Sequence, residues 1–235
     1  MADVLRALAM ALRSLLRPAV LWQSLWPPLA ALAVWIAIAA RLWTPAKAWL
    51  VARLPELPWH ELGGLTDWLA PFGLLLALAP FVYFTAVLLV AGFALPRMMA
   101  VVSRQDYPGI ERRGENAVRG SIANTLWAGL VFLVGWLLSL PLLLVPGALV
   151  VVPLGWAAWF NQRTFRFDAL VEHATRAELK ALVAAQRGRL YLAGFATALL
   201  AHVPLLNLLA PALTALVYVH LCLAALARQR EGRAA

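Results

Sequence analysis

Cysteine is nearly absent. Cys222 stands alone in 235 residues, so no disulfide can form within the chain and no cysteine-based metal site can be built. A small buried or lipid-facing side chain is its expected role. Charge is scarce as well, at 13% of residues, and lysine is scarcer still, with Lys47 and Lys180 beside 18 arginines. A soluble domain carries about 25% charged residues. Glycine-rich phosphate loops and nucleophile elbows are missing. Asp168, Glu172 and His173 lie close together, but they reproduce no hydrolase or metal-ligand spacing and read as partners for Arg163, Arg166 or Arg176. No enzymatic activity, cofactor or metal is therefore expected. The net charge of +9 is of the kind that attracts nucleic acid or anionic lipid. No nucleic-acid recognition motif accompanies it, so nucleic acid is not an expected partner.

What is present is apolar sequence: 63% hydrophobic residues and a mean hydropathy of +0.79. The reading is an all-α integral membrane protein with the lipid bilayer as its main partner, because bilayer hydrocarbon leaves a spanning backbone to satisfy its own hydrogen bonds. The stretch 191–227 shows the pattern best. It is almost wholly apolar and is interrupted over 202–211 by Pro204, Asn207 and Pro211. Each proline removes an N–H and fixes φ, and Asn207 offers a turn side chain or an N-cap. A helical hairpin with its arms in lipid is expected. Arg187 and Arg189 precede it, and Arg228, Arg230 and Arg233 follow it, which places both ends in the cytoplasm by the positive-inside rule.

Taken in order, residues 2–17 read as an amphipathic helix, with Val4, Leu8, Leu12 and Leu15 at helical spacing and Arg6, Arg13 and Arg17 in a stripe on another face. It either lies in the headgroup layer or extends the first span into the cytoplasm. The apolar N-terminus is interrupted by arginine and is not expected to be a cleaved signal. Residues 18–43 form a first span, since about 20 apolar residues cross a hydrocarbon core of roughly 30 Å; Pro27 and Pro28 are expected to bend it or mark its start. Residues 41–67 balance Arg41, Lys47 and Arg53 against Glu56, Glu61 and Asp67, so this connection is placed outside. A second span is expected over 68–95.

The segment 97–119 reads as a cytoplasmic loop between polar helical ends. Arg112 and Arg113 within it are candidate anion contacts, with orientation in the membrane as their more ordinary role. A second hairpin is expected over 122–160, broken by Pro141, Pro146, Gly147 and Pro153. Its Pro141-Leu142-Leu143 run parallels Pro204-Leu205-Leu206, a weak sign of internal repetition. Neither tip carries charge, which favours hairpins that stop part-way through the bilayer. Residues 161–189 follow as an amphipathic cytoplasmic segment, where Thr175 and Glu178 have capping-box spacing and predict a helix beginning near Arg176 that presents Leu179, Leu182 and Val183. His202 and His220 stand out because ionisable groups at membrane depth are costly. Either one bonds a freed carbonyl or contacts an ion or solute.

The run Pro204-Leu205-Leu206-Asn207-Leu208, with Pro211 beyond it, resembles the IPLLNL signature of the CysZ sulfate-permease family, which includes the etoposide-induced membrane proteins of eukaryotes. The likeness extends to Asn161, the aromatic run from Phe165 to Asp168, and Gly194. It implies a bacterial inner-membrane protein with two long transmembrane helices, two hairpins that only partly penetrate the bilayer, cytoplasmic termini and homo-oligomeric assembly. It further implies a role in passing a small solute such as sulfate or another anion. In the bacterial members a Pro-Gly-(Leu/Ile)-Arg-Arg run at the start of the first long helix is associated with sulfate, and its N–H groups and guanidinium forks suit a tetrahedral anion. The matching positions here are Pro18-Ala19-Val20-Leu21-Trp22, without either arginine, and Arg17 is the nearest cation. Candidate path residues are thus Arg17, Arg112, Arg113, His202 and Asn207, and candidate turn residues are Pro141, Pro146, Pro204 and Pro211. The single membrane domain 1–235 is expected to act as a permease or, alternatively, as a scaffold that binds lipid or a protein through 2–17 and 161–189.

Overall fold

A computed structural model of the chain describes residues 1–53, 82, 85–86, 89–114, 117–203 and 206–234. Its helices are α1 (Ala2–Leu15), α2 (Pro18–Arg53), α3 (Leu95–Asp106), α4 (Ala117–Ser139), α5 (Ala148–Val171), α6 (Arg176–Ala185), α7 (Arg187–Leu200) and α8 (Leu206–Ala234). A π-helical turn, Val90–Ala94, precedes α3, and a 3-10 turn, Leu140–Leu144, follows α4. There is no strand among the described residues. Among the described residues, three stretches are long and apolar enough to cross a membrane: Pro18–Pro45, Arg119–Leu142 and Leu209–Gly232. The chain is an all-α membrane protein. It divides into two compact units, one of Met1–Leu21 with Leu95–Ala235 and one of Trp22–Ala94.

The larger unit is assembled around α8. Helices α1, α3, α5, α6 and α7 all pack on it, and every side chain from Ala212 to Leu223 is buried. A helix that is apolar all round must be enclosed by something apolar, either lipid or protein. The sequence assigned this arm to lipid, and the structure encloses it in protein. The lipid-facing character belongs to α4, where Leu126, Trp127, Leu130, Leu133 and Leu137 are all exposed.

The two hairpins are present, with shorter breaks than expected. Helices α4 and α5 pack together and are joined by the 3-10 turn containing Pro141, an extended Val145, Pro146 and Gly147. Gly147 has φ +85°, a left-handed conformation that a side chain disfavours. Pro153 lies inside α5 and does not interrupt it. Helices α7 and α8 form the second hairpin. Pro204 lies outside the described residues. Asn207 sits in the first turn of α8 rather than before it, and Pro211 is inside the helix. The break therefore falls ahead of Leu206 and does not extend through Pro211.

Other boundaries also move. Helix α2 runs without interruption through Pro27, Pro28 and Pro45 to Arg53, so the start of the expected outer connection is helical; the rest of that connection, and most of the second expected span, lie outside the described residues. The segment expected to be a loop from 97 is helical to Asp106. Helix α5 continues past the expected hairpin end to Val171. The α6 capping box is formed as the spacing predicts, with Thr175 Oγ1 accepting from Glu178 N at 3.2 Å and Glu178 Oε2 accepting from Thr175 N at 2.9 Å. Leu182 is buried, and Leu179 and Val183 are half-buried. In the smaller unit, Trp35 Nε1 donates to Thr85 Oγ1 at 2.9 Å.

Close packing at one glycine brings α5 and α7 together. A Cβ at Gly194 would stand 2.5 Å from the Ala158 carbonyl oxygen and 2.9 Å from the Tyr218 hydroxyl. Small residues let helix backbones approach in this way, which matters where no hydrophobic force drives helices together. Tyr218 fixes the same junction by donating to the Leu190 carbonyl at 2.7 Å. Gly194→Ala is expected to destabilise the folded protein by about 1–3 kcal/mol through overpacking. Gly155→Ala, where a Cβ meets nothing within 4 Å, is expected to be neutral or mildly stabilising; thermal unfolding in detergent compares the two.

Candidate functional site

Two polar junctions fasten other segments to α8. The first gathers the end of α1, the end of α3 and His220. Arg17, just past α1, pairs with Asp106 at 2.7 Å and donates to Gln105 Oε1 at 3.0 Å. Ser14 Oγ lies 3.4 Å from Asp106 Oδ2 and 3.0 Å from His220 Nε2. On the other side of the ring, the Tyr107 hydroxyl is 3.1 Å from His220 Nδ1 and 3.2 Å from the His220 carbonyl oxygen.

Both neutral tautomers of His220 are satisfied by this geometry. With the proton on Nδ1, the ring donates to the Tyr107 oxygen, the Tyr107 hydroxyl donates to the His220 carbonyl, and Ser14 donates to Nε2. With the proton on Nε2, the ring donates to Ser14, which turns its hydroxyl to Asp106, and Tyr107 donates to Nδ1. Burial, assisted by the Asp106 charge, pushes the Tyr107 hydroxyl up to about 12, so it remains a donor near neutral pH. The net result is a buried histidine, 2% exposed, with both ring nitrogens occupied.

The second junction lies ten residues further along α8, at Arg230. Arg230 of α8 grips Glu178 with two nitrogens, at 2.9 and 3.1 Å. It also donates to the carbonyls of His173 at 2.7 Å and Glu111 at 3.1 Å. Such a forked, charge-assisted contact is stronger than a neutral hydrogen bond. Backbone bonds extend it, from Arg113 N to the His173 carbonyl at 3.4 Å and from Gly114 N to the Glu172 carbonyl at 3.1 Å. The connection after α3 is thereby clamped to the α5–α6 turn and to α8. Hydrogen bonding from Arg230, against the opposing effect of burial, lowers the Glu178 carboxyl to about 2.

The sequence-predicted candidates are placed separately rather than around one cavity. Arg17 belongs to the first junction. Arg112 faces Glu172 at 3.8 Å and Arg113 pairs with Glu111 at 2.7 Å, both on the exposed surface. His202 is exposed and bonds the Ala198 carbonyl through Nδ1 at 2.8 Å. The Asp168, Glu172 and His173 group is also dispersed. Asp168 accepts from the Ser121 hydroxyl, burial raising its carboxyl while that bond opposes the rise. Glu172 faces Arg112, and burial lowers His173, whose Nδ1 has no hydrogen-bond partner among the described residues. No cluster of three or more His, Cys, Asp or Glu suited to a metal occurs among the described residues.

Ser14, Gln105, Asp106 and Tyr107 were not singled out by sequence, and Arg230 figured there only as a topology signal. Asp106 carried one signal, an acid among arginines next to a Tyr-Pro-Gly turn, but its partners lie 89 residues away or more.

Two outcomes follow from these geometries. Tyr107→Phe strands a buried His220 nitrogen and is expected to cost about 1–3 kcal/mol, whereas Arg113→Gln, at an exposed pair, is expected to cost about 0–1 kcal/mol; thermal unfolding separates them. Because Glu178 titrates near 2 in the folded chain against an ordinary 4.5, its stabilisation is complete above 4.5 and is lost as pH falls toward 2. Glu178→Gln should abolish this part of the acid dependence of unfolding temperature.

The family described as sulfate transporter CysZ/etoposide-induced protein 2.4 matches residues 7–211. The matched stretch takes in most of α1, all of α2 to α7, and the first residues of α8; His220 and Arg230 lie beyond it. No curated protein matches the chain. With most of its length matched and a helical membrane architecture, the chain belongs to the sulfate transporter CysZ/etoposide-induced protein 2.4 family.

Proposed function

We propose that the chain is an inner-membrane permease, or part of one, that passes a small solute, with sulfate and other small anions as the class to test first. The observation that carries this reading is the family match over residues 7–211, which supports a transporter-like membrane protein rather than an enzyme. The absence of a nucleotide motif supports an uncoupled or weakly coupled mechanism. Homo-oligomeric assembly, a bacterial inner membrane and cytoplasmic termini belong to the same reading. The tip of the first hairpin supports partial penetration, since Leu142, Leu144, Val145 and Leu149 are all exposed there and an uncharged tip is suited to hydrocarbon.

One observation favours a second reading, a scaffold that binds lipid or a protein. A dianion leaving water needs compensating charge, yet Leu21 and Trp22 occupy the family's arginine positions. The nearby cation Arg17 is already paired with Asp106, and Arg112 and Arg113 are paired with Glu172 and Glu111. Reconstituted liposomes distinguish the two readings. Flux of sulfate, sulfite or another small anion above that of empty vesicles is the expected result, and flux equal to empty vesicles would overturn the permease. Loss of a captured partner on reversing the charges of 161–189 would support the scaffold.

A further inference from the structure

Helix α1 has two apolar faces, and among the described residues only one is packed against another helix. Val4, Ala7, Ala11 and Leu15 are buried, and α1 packs on α8. At roughly 100° per residue, Leu5, Leu12 and Leu16 fall within about 40° of one another, away from that face. They are 65%, 48% and 74% exposed. The sequence had grouped Leu12 with Val4 and Leu15 in one stripe, and the structure separates them. Three leucines in a row on an open helix face need an apolar environment, since exposed apolar surface costs about 25 cal/mol per Å2.

The charges bordering this face identify what covers it. Arg6 and Arg13 lie along one edge and are exposed. Among the described residues neither is in an ion pair, whereas Arg17, the next cation in the stripe, is held by Asp106. A second copy of this chain is a poor match for that edge, because it brings 20 basic residues against 11 acidic ones. Only Leu16 and Arg17 separate α1 from α2, whose Pro18–Pro45 stretch is long and apolar enough to cross a membrane. The face therefore belongs to a helix at the boundary of a bilayer.

We propose that α1 docks on anionic phospholipid, with Arg6 and Arg13 on the headgroups and Leu5, Leu12 and Leu16 sunk among the acyl chains. An apolar face edged by cations is how interfacial helices bind, and each arginine near an anionic surface strengthens binding about fivefold. Arg17 takes no part, because its charge is spent on Asp106. The docking depends only on the chain being a membrane protein and holds whether or not a solute is passed.

The test uses the full chain with Cys222→Ala and Leu12→Cys, labelled with bimane and reconstituted in phosphatidylcholine vesicles with or without phosphatidylglycerol. Quenching by doxyl groups on the acyl chains is expected, and phosphatidylglycerol should be retained on exchange into phosphatidylcholine. Arg6→Gln and Arg13→Gln should each reduce that retention about fivefold. Both arginines are exposed, so the fold should survive, and an unchanged unfolding temperature verifies it. Quenching by aqueous iodide alone, or protection from both quenchers, would overturn the docking, the latter by showing protein over the face. Retention unchanged in the arginine variants would overturn the headgroup contact, and solute flux in the same vesicles reports on the permease independently.

Discussion

Everything in the larger unit depends on keeping α8 enclosed. Lipid chains are as apolar as leucine, so the hydrophobic effect does not by itself draw one apolar helix out of lipid and into protein. What remains is close packing and hydrogen bonding, and α8 has both along its length. The Gly194–Ala158 approach beside Tyr218 provides the packing. Tyr218, His220 and Arg230 supply bonds to α7, to the α1–α3 ends and to the α5–α6 turn respectively. Tyr218, His220 and Arg230 are each matched by a partner from a distant segment, which leaves the bundle little freedom to rearrange around its central helix.

The same arrangement decides what the arginines do. Leu21 and Trp22 follow Pro18 at the start of α2, and neither carries charge. The nearest cation, Arg17, instead helps hold α1 against α3, and Arg230 ties the end of α8 to Glu178. Charge that could have met a solute is thus committed to architecture, while Arg6 and Arg13 are left outside the bundle. Arg17 and Arg230 act as fasteners within the larger unit, and Arg6 and Arg13 are exposed on α1.

Much of this was legible from local chemistry. Prolines 141 and 146 with Gly147 marked the first turn because they restrict φ or permit a positive one, and Thr175 with Glu178 marked the start of α6 because a capping box is a four-residue pattern. Prolines 153 and 211 misled as helix breaks, and prolines 27 and 28 do not mark the start of α2, since local adjustment and neighbouring helices allow membrane helices to run through proline. The burial of α8 was not legible, because an all-apolar helix looks the same in sequence whether lipid or protein surrounds it. Neither was the His220 junction, where Ser14 and Tyr107 approach from 206 and 113 residues away and no periodicity records the encounter. Of the expected path residues, Arg17 is paired with Asp106, a partner that could be found only in three dimensions.

Enclosure of α8 is tested most directly by a photoactivatable acyl-chain probe in a bilayer containing the folded protein, with labelled positions mapped by mass spectrometry. Labelling of Leu126, Leu130 and Leu133 on α4, with residues 212–223 spared, is the predicted result. Labelling of 212–223 as strong as that of α4 would contradict it and return the last helix to the lipid.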